Sequence, residues 1–274
     1  MGTHAAQAPP TAPERGRASA RSTLRSVALP TEHGGWSLTA EPVLLGLLVA
    51  WSWSGLALGL AAMVAFVART PLKLVLVDLW RRRWLERSRL ASVVLAAEGS
   101  VLVLLLVVAQ AGAEVSFWWP FAIAAPLVAL ELWFDMRSRS RRLLPELAGT
   151  VGIGSVAAAI ALAAGAETGL AGALWCVVAA RGAAAIPYVR TQVLRLHLRP
   201  HARWHSDVAQ VAALGAVAVG WRLGEVPLAS VAALAVVAVV NLAGVRTDPR
   251  PPKVLGVQQM GLGLLVTLVT AAAV

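Results

Sequence analysis

Residues 81–111 read RRRWLERSRLASVVLAAEGSVLVLLLVVAQA, and this stretch decides the fold. Five arginines, Arg81, Arg82, Arg83, Arg87 and Arg89, crowd its start, and residues 90–111 that follow carry a single charge, Glu98. The hydrocarbon core of a bilayer is about 30 Å thick and asks for about 20 mainly apolar residues in a helix that rises about 1.5 Å per residue. Residues 90–111 meet that length, and the arginine cluster is the cationic flank expected at a membrane surface.

The pattern recurs along the chain. Nine apolar segments are long enough to span, at 37–53, 55–70, 90–111, 115–134, 144–164, 168–189, 206–221, 226–244 and 254–273, with short arginine-bearing loops at alternate junctions. Hydrophobic residues fill 58% of 274 positions and charged ones 14%, and mean hydropathy is +0.71, a balance foreign to soluble domains of this length. The expected fold class is therefore all-α integral membrane, a nine-helix transmembrane bundle over residues 29–274. Gly and Ala within the spans permit the close helix contacts that lipid requires. Residues 1–28, rich in Ala, Pro, Ser and Arg, are expected to form a disordered cytoplasmic tail. No apolar leader with a cleavage site follows their arginines directly.

The formal charge of +10 does not mark a nucleic-acid binder, because the basic residues lie between apolar spans, where anionic headgroups and the positive-inside rule account for them. Arg15, Arg17, Arg21 and Arg25 precede span 1; Lys73 and the cluster 81–89 follow span 2; Arg137, Arg139, Arg141 and Arg142 follow span 4. Arg190, Arg195, Arg199 and Arg203 follow span 6, and Arg246, Arg250 and Lys253 follow span 8. The other side carries only Arg222, with Glu114, Glu167 and Glu225. The expected location is the cytoplasmic membrane, multi-pass, with the N-terminus in the cytoplasm and the C-terminus outside. The single cysteine, Cys176, excludes an internal disulfide and reads as a packing residue.

A charge at membrane depth costs about 2.5–3.5 kcal/mol on insertion scales, so ionisable residues inside spans are functional candidates. Here they are Glu41, Glu98, Glu131, Glu146 and Arg181, joined by Asn241, Gln258 and Gln259, all expected in the cytoplasmic half of their spans. For Glu131 and Glu146, nearest the headgroups, an interfacial role would suffice. Facing inward, the set would line a polar cavity open to the cytoplasm. Before span 1, Glu32-His33-Gly34-Gly35-Trp36 could place an imidazole and a carboxylate at its mouth, or serve only as a loop with an interfacial anchor. Arg69-Thr70-Pro71-Leu72-Lys73, with Asp78 beyond, joins cations to a backbone expected to break at proline and suits an anionic ligand. Ile186-Pro187-Tyr188-Val189-Arg190 closes span 6 in a similar way. His197, His201 and His205 are spaced by four, but Pro200 interrupts them and Arg199 and Arg203 would repel a cation, so no metal site is expected. No P-loop, nucleophile elbow or His-Glu-x-x-His helix occurs.

The Glu32–Trp36 box, Arg69–Lys73, Glu146-Leu147-Ala148-Gly149, Ile186–Arg190, and Lys253-Val254-Leu255-Gly256 with Gln258 and Gln259 resemble the YwiC-like membrane proteins of bacteria, over a stretch from about residue 29 to the C-terminus. That resemblance implies a multi-span membrane protein and brings no reaction with it. The nine-span plan is also similar to the UbiA prenyltransferase architecture, in which Asp-rich cytoplasmic loops after spans 2 and 6 hold Mg²⁺ against a prenyl diphosphate. Here those loops offer Arg69, Lys73 and Asp78, then Arg190, Arg195 and Asp207, with no Asp-x-x-x-Asp, and no cofactor is identified.

The functional expectation is binding or transfer of an anionic amphiphile, of isoprenoid or quinone type, in a cytoplasm-facing cavity. Arg69, Lys73, Arg181 and Arg190 would hold the head, and His33, Glu41 or Glu98 would accept protons. Glu32, Asp78, Glu146, Tyr188 and Gln258 complete the candidate binding set. The alternatives are a small transporter coupling Glu98 and Arg181 to ion movement, and an accessory subunit without catalysis.

Overall fold

The computed structural model describes residues 27–28, 33–139 and 142–274. Among them nine long helices follow in order: α1 (His33–Val49), α2 (Trp53–Trp80), α3 (Glu86–Gly112), α4 (Trp118–Met136), α5 (Leu143–Ala163), α6 (Thr168–Leu196), α7 (Trp204–Arg222), α8 (Leu228–Gly244) and α9 (Pro252–Ala273). Each apolar segment read from the sequence finds its helix. Six of the helices, α2 to α6 and α9, are long and apolar enough to cross a bilayer, and α8 and most of α1 are shorter apolar helices. The chain is an all-helical, multi-pass membrane bundle. Residues 1–26 of the expected tail lie outside the described residues, as does Glu32, and of His33 only the backbone is described.

Two expected boundaries are corrected. The segments read as ending at 70 and 189 run on through Pro71 to Trp80 and through Pro187 to Leu196. A helix-interior proline loses one backbone hydrogen bond, but its fixed φ is already helical, and surrounding helices in a membrane bundle hold it in place. Both prolines are buried. The freed amides expected at Pro71 therefore do not exist as a ligand cradle. At about 1.5 Å per residue α2 and α6 exceed 40 Å, longer than the roughly 30 Å hydrocarbon layer. Lys73, Asp78, Arg190 and Arg195 consequently ride on helical extensions and not on loops.

The helix pair α5 and α6 forms the centre. Helices α1 to α4 surround α5, α7 to α9 surround α6, and α1 closes the ring by packing on α5, α6 and α9. Small residues set the spacing: Cβ atoms added to Gly46 of α1 and Gly55 of α2 would lie 2.8 and 2.9 Å from Ile160 of α5. The backbones approach there because no side chain intervenes. From Val156 to Ala163, α5 is buried on every side and wholly apolar, which gives the end of the bundle away from the arginines a dry core. The helix ends differ as well. Turns at that dry end use Gly165 and Gly224 at positive φ, whereas turns at the basic end use Arg82, Ser138 and Leu198.

Candidate functional site

A string of buried polar groups crosses five helices. Ser37 Oγ donates to Glu41 Oε1 at 2.8 Å, one turn along α1. The other carboxylate oxygen of Glu41 lies 3.2 Å from Arg181 Nε on α6. Arg181 donates to the Gln259 carbonyl on α9. The Gln259 amide donates to Asn241 Oδ1 on α8 at 3.0 Å, Asn241 donates to Gln210 Oε1 on α7 at 3.3 Å, and Gln210 returns to the Ala184 carbonyl on α6 at 2.8 Å. Glu41 is 5% exposed and Arg181 2%. Arg181 stands about 22 Å of helix from the end of α6, near the middle of that helix and further from its end than the shorter expected span placed it. A charge buried there survives only when paired and hydrogen-bonded. The arrangement satisfies the condition and leaves no room for a ligand between the partners.

Gly263 on α9 provides space for the Glu41 carboxylate, on which an added Cβ would fall directly. Gly263→Ala should therefore cost about 1–3 kcal/mol, because the carboxylate can clear the added methyl only by moving off Arg181 and Ser37. Thermal unfolding in detergent checks this, and an unshifted midpoint would show that the carboxylate has other room.

Nearer the basic end, α2 and α4 face each other through paired charges. Arg69 Nη2 lies 2.6 Å from Glu131 Oε1 and 3.1 Å from Asp135 Oδ2, and Lys73 Nζ lies 3.2 Å from Asp135 Oδ1. Two cations one helical turn apart thus meet two carboxylates one turn apart. Gly149 of α5 supplies the space in which the Glu131 carboxylate sits. Asp135 is fully buried and was not among the sequence candidates. Its signal was present: a second acid four residues after Glu131, matching the spacing of Arg69 and Lys73.

The remaining candidates separate. Asp78 is buried and accepts from Ser88 at 2.7 Å, with Arg83 and Arg87 at 3.3 and 3.2 Å, and so ties the α2–α3 turn. Tyr188 is buried, its hydroxyl 3.2 Å from Gln192 Nε2, which also donates to the Gly244 carbonyl at 2.7 Å. Gln258 accepts from Arg250 at 2.8 Å. Glu146 of α5 and Arg190 of α6 stand 3.8 Å apart, with side chains 34% and 40% exposed. Glu98 does not join Arg181: α3 packs along α2 and touches α5, whereas α6 is out of its reach. Among the described residues no cluster of three or more His, Cys, Asp or Glu could hold a metal ion. Asp78 and Asp207 are each engaged by arginine, so they do not fit the Mg²⁺ chemistry of the UbiA loops.

An apolar groove of about 480 Å³ opens between α5 and α7. Cys176, Ala180, Ala183 and Pro187 of α6 form its floor, Leu143, Leu147 and Val151 of α5 one wall, and residues from Trp204 to Ala216 of α7 the other. At its basic end the Trp204 and His205 rings stack with centroids 3.9 Å apart. The groove exists because α5 and α7 do not touch and the floor between them carries mainly methyl groups. It was not legible in the sequence, since its lining is scattered over three helices as unremarkable Ala and Val.

No curated protein and no solved structure matches the chain. The boxes at Ile186–Arg190 and Lys253–Gln259 lie beyond the stretch that a family model covers. The YwiC-like protein family model matches residues 29–161, the part that carries helices α1 to α4 and nearly all of α5 with Glu41, Arg69, Lys73, Glu131, Asp135 and Glu146, and over that part the chain is similar to the YwiC-like proteins.

Proposed function

We propose that this protein crosses the cytoplasmic membrane nine times with its basic end inside, in a UbiA-like plan, and binds an anionic amphiphile from the inner leaflet. The orientation rests on the arginines at one end of the bundle. The ligand reading rests on one observation, the placement of Arg190, paired with Glu146, one helical turn beyond the floor of the α5–α7 groove. Pro187 lines the groove, and Arg190 is one turn further toward the basic end of the same helix. A chain laid along α7 from Ala216 to Trp204 would run about 18 Å, more than half of the roughly 30 Å hydrocarbon layer. Its head would then meet Arg190.

The 3.8 Å ion pair is looser than a charge-assisted hydrogen bond of about 2.7–2.9 Å. An incoming phosphate or carboxylate would compete with Glu146 for the planar guanidinium fork. Arg181, closed on Glu41, is not available in this way and serves the bundle instead. The transport alternative loses support, because Glu98 and Arg181 lie on helices that do not touch.

Native mass spectrometry of gently extracted protein tests the reading. Wild type should retain an acidic lipid-like molecule, and Arg190→Ala should lower its occupancy by about tenfold or more, the loss expected for a charge-assisted contact. Equal occupancy in the two would remove Arg190 from the head site.

A further inference from the structure

A second basic recess lies at the ends of α2 and α4, apart from the groove. Trp80 and Arg81 close α2, Met136, Arg137 and Arg139 close α4, and together they line a cavity of about 320 Å³. Both helices end in the same left-handed turn. Arg82 (φ 50) and Ser138 (φ 55) adopt it, Arg83 N–H bonds back to the Asp78 carbonyl at 3.0 Å, and Arg139 N–H bonds back to the Phe134 carbonyl at 2.9 Å. Arg81 Nη2 donates to Ser138 Oγ at 3.0 Å and locks one turn to the other. The arginines are thus presented by two mutually braced turns.

The acids nearest this recess are already taken up by other cations. Asp78 is engaged by Arg83 and Arg87, and Asp135 by Arg69 and Lys73. Among the described residues Arg81, Arg137 and Arg139 have no carboxylate within 4 Å. Arg137 is instead held by aromatic faces, its guanidinium carbon 4.1 Å from the Trp133 ring centroid and 5.5 Å from that of Trp80. A cation–π contact uses the face of the guanidinium and leaves its in-plane N–H fork for an anion. Three guanidiniums lacking acid partners, a hydroxyl that already accepts from one of them, and two indoles are the donor set for phosphate oxygens, and the tryptophans suit the headgroup level of a membrane.

We propose that this recess is a binding site for a phosphate group, as carried by an anionic phospholipid headgroup or by free phosphate. The site is independent of the amphiphile groove and would stand if that reading failed. Diffuse attraction of a basic surface for anionic lipid is the competing explanation, and it makes all the exposed cations interchangeable.

The test compares wild type, Arg137→Ala/Arg139→Ala and the charge-matched control Arg250→Ala/Lys253→Ala, each full length in neutral detergent. Thermal stabilisation is titrated with short-chain phosphatidylglycerol, short-chain phosphatidylcholine and inorganic phosphate. Phosphatidylglycerol should stabilise wild type saturably and more strongly than phosphatidylcholine. The first double variant should weaken that response by about tenfold or more and the control by less than about threefold. Arg137→Lys, which keeps the charge and loses the fork, should fall between wild type and the double variant and guards against misfolding. If inorganic phosphate alone reproduces the saturable, variant-sensitive response, the ligand is a soluble phosphate; if only the lipid does, it is a headgroup. Equal weakening by the two double variants, or no saturable response in wild type to either ligand, would overturn the site.

Discussion

Replacing Arg181 with alanine is expected to cost about 3–5 kcal/mol of stability, the penalty for leaving one member of a buried ion pair uncompensated. The abandoned group is Glu41, 5% exposed and wedged against Gly263. The Gln259 carbonyl loses its guanidinium donor at the same time. Unfolding in detergent monitored by circular dichroism would read the loss. The double variant Glu41→Gln/Arg181→Met removes both charges at similar volume and should recover much of it, because a buried pair is worth little against a well-packed neutral replacement. Glu98→Gln should change stability by less than about 0.5 kcal/mol, as a substitution on the weakly covered α3. If Arg181→Ala melted like wild type, the buried string could not be what holds α1 and α6 together.

The second large effect is expected at Ala183, in the floor of the α5–α7 groove. Ala183→Trp would place an indole in the open channel, where the uncontacted walls of α5 and α7 can accept it with little strain. Stability should stay within about 1 kcal/mol of wild type. The co-purifying amphiphile should fall by about tenfold or more, since the volume that would bury its chain is taken. Loss of ligand with unchanged melting separates a blocked groove from a damaged bundle.

Much of the architecture was legible because membrane insertion depends on long apolar runs and on the arginines between them, both local features. The run 90–111 and its arginine flank are enough to place α3. The helix ends were less legible where proline was involved: Pro71 and Pro187 look like terminators by local rules, yet in a bundle their neighbours carry α2 to Trp80 and α6 to Leu196. The ionisable residues were visible one by one, since any charge in a span is conspicuous, but their partners were not. Glu41 and Arg181 meet only because α1 packs on α6, and Glu98, equally conspicuous in the sequence, meets neither. Asp135 sits at the end of its apolar run and is less conspicuous than Glu131, although the matched spacing of acids and bases across α2 and α4 announces it. The groove had no residue-level signal, because it is a gap between two walls and not a motif.

Photo-crosslinking with an anionic phospholipid that carries a diazirine on its acyl chain tests the central claim most directly. The protein is reconstituted in vesicles and the crosslinked residues are mapped by peptide mass spectrometry. The groove predicts crosslinks concentrated on the α5, α6 and α7 residues that line it, Leu147, Cys176, Ala180 and Val208 among them, and strongly reduced in Ala183→Trp. Crosslinks spread evenly over the lipid-facing helices, with α3 labelled as heavily as the groove and no change in Ala183→Trp, would contradict it.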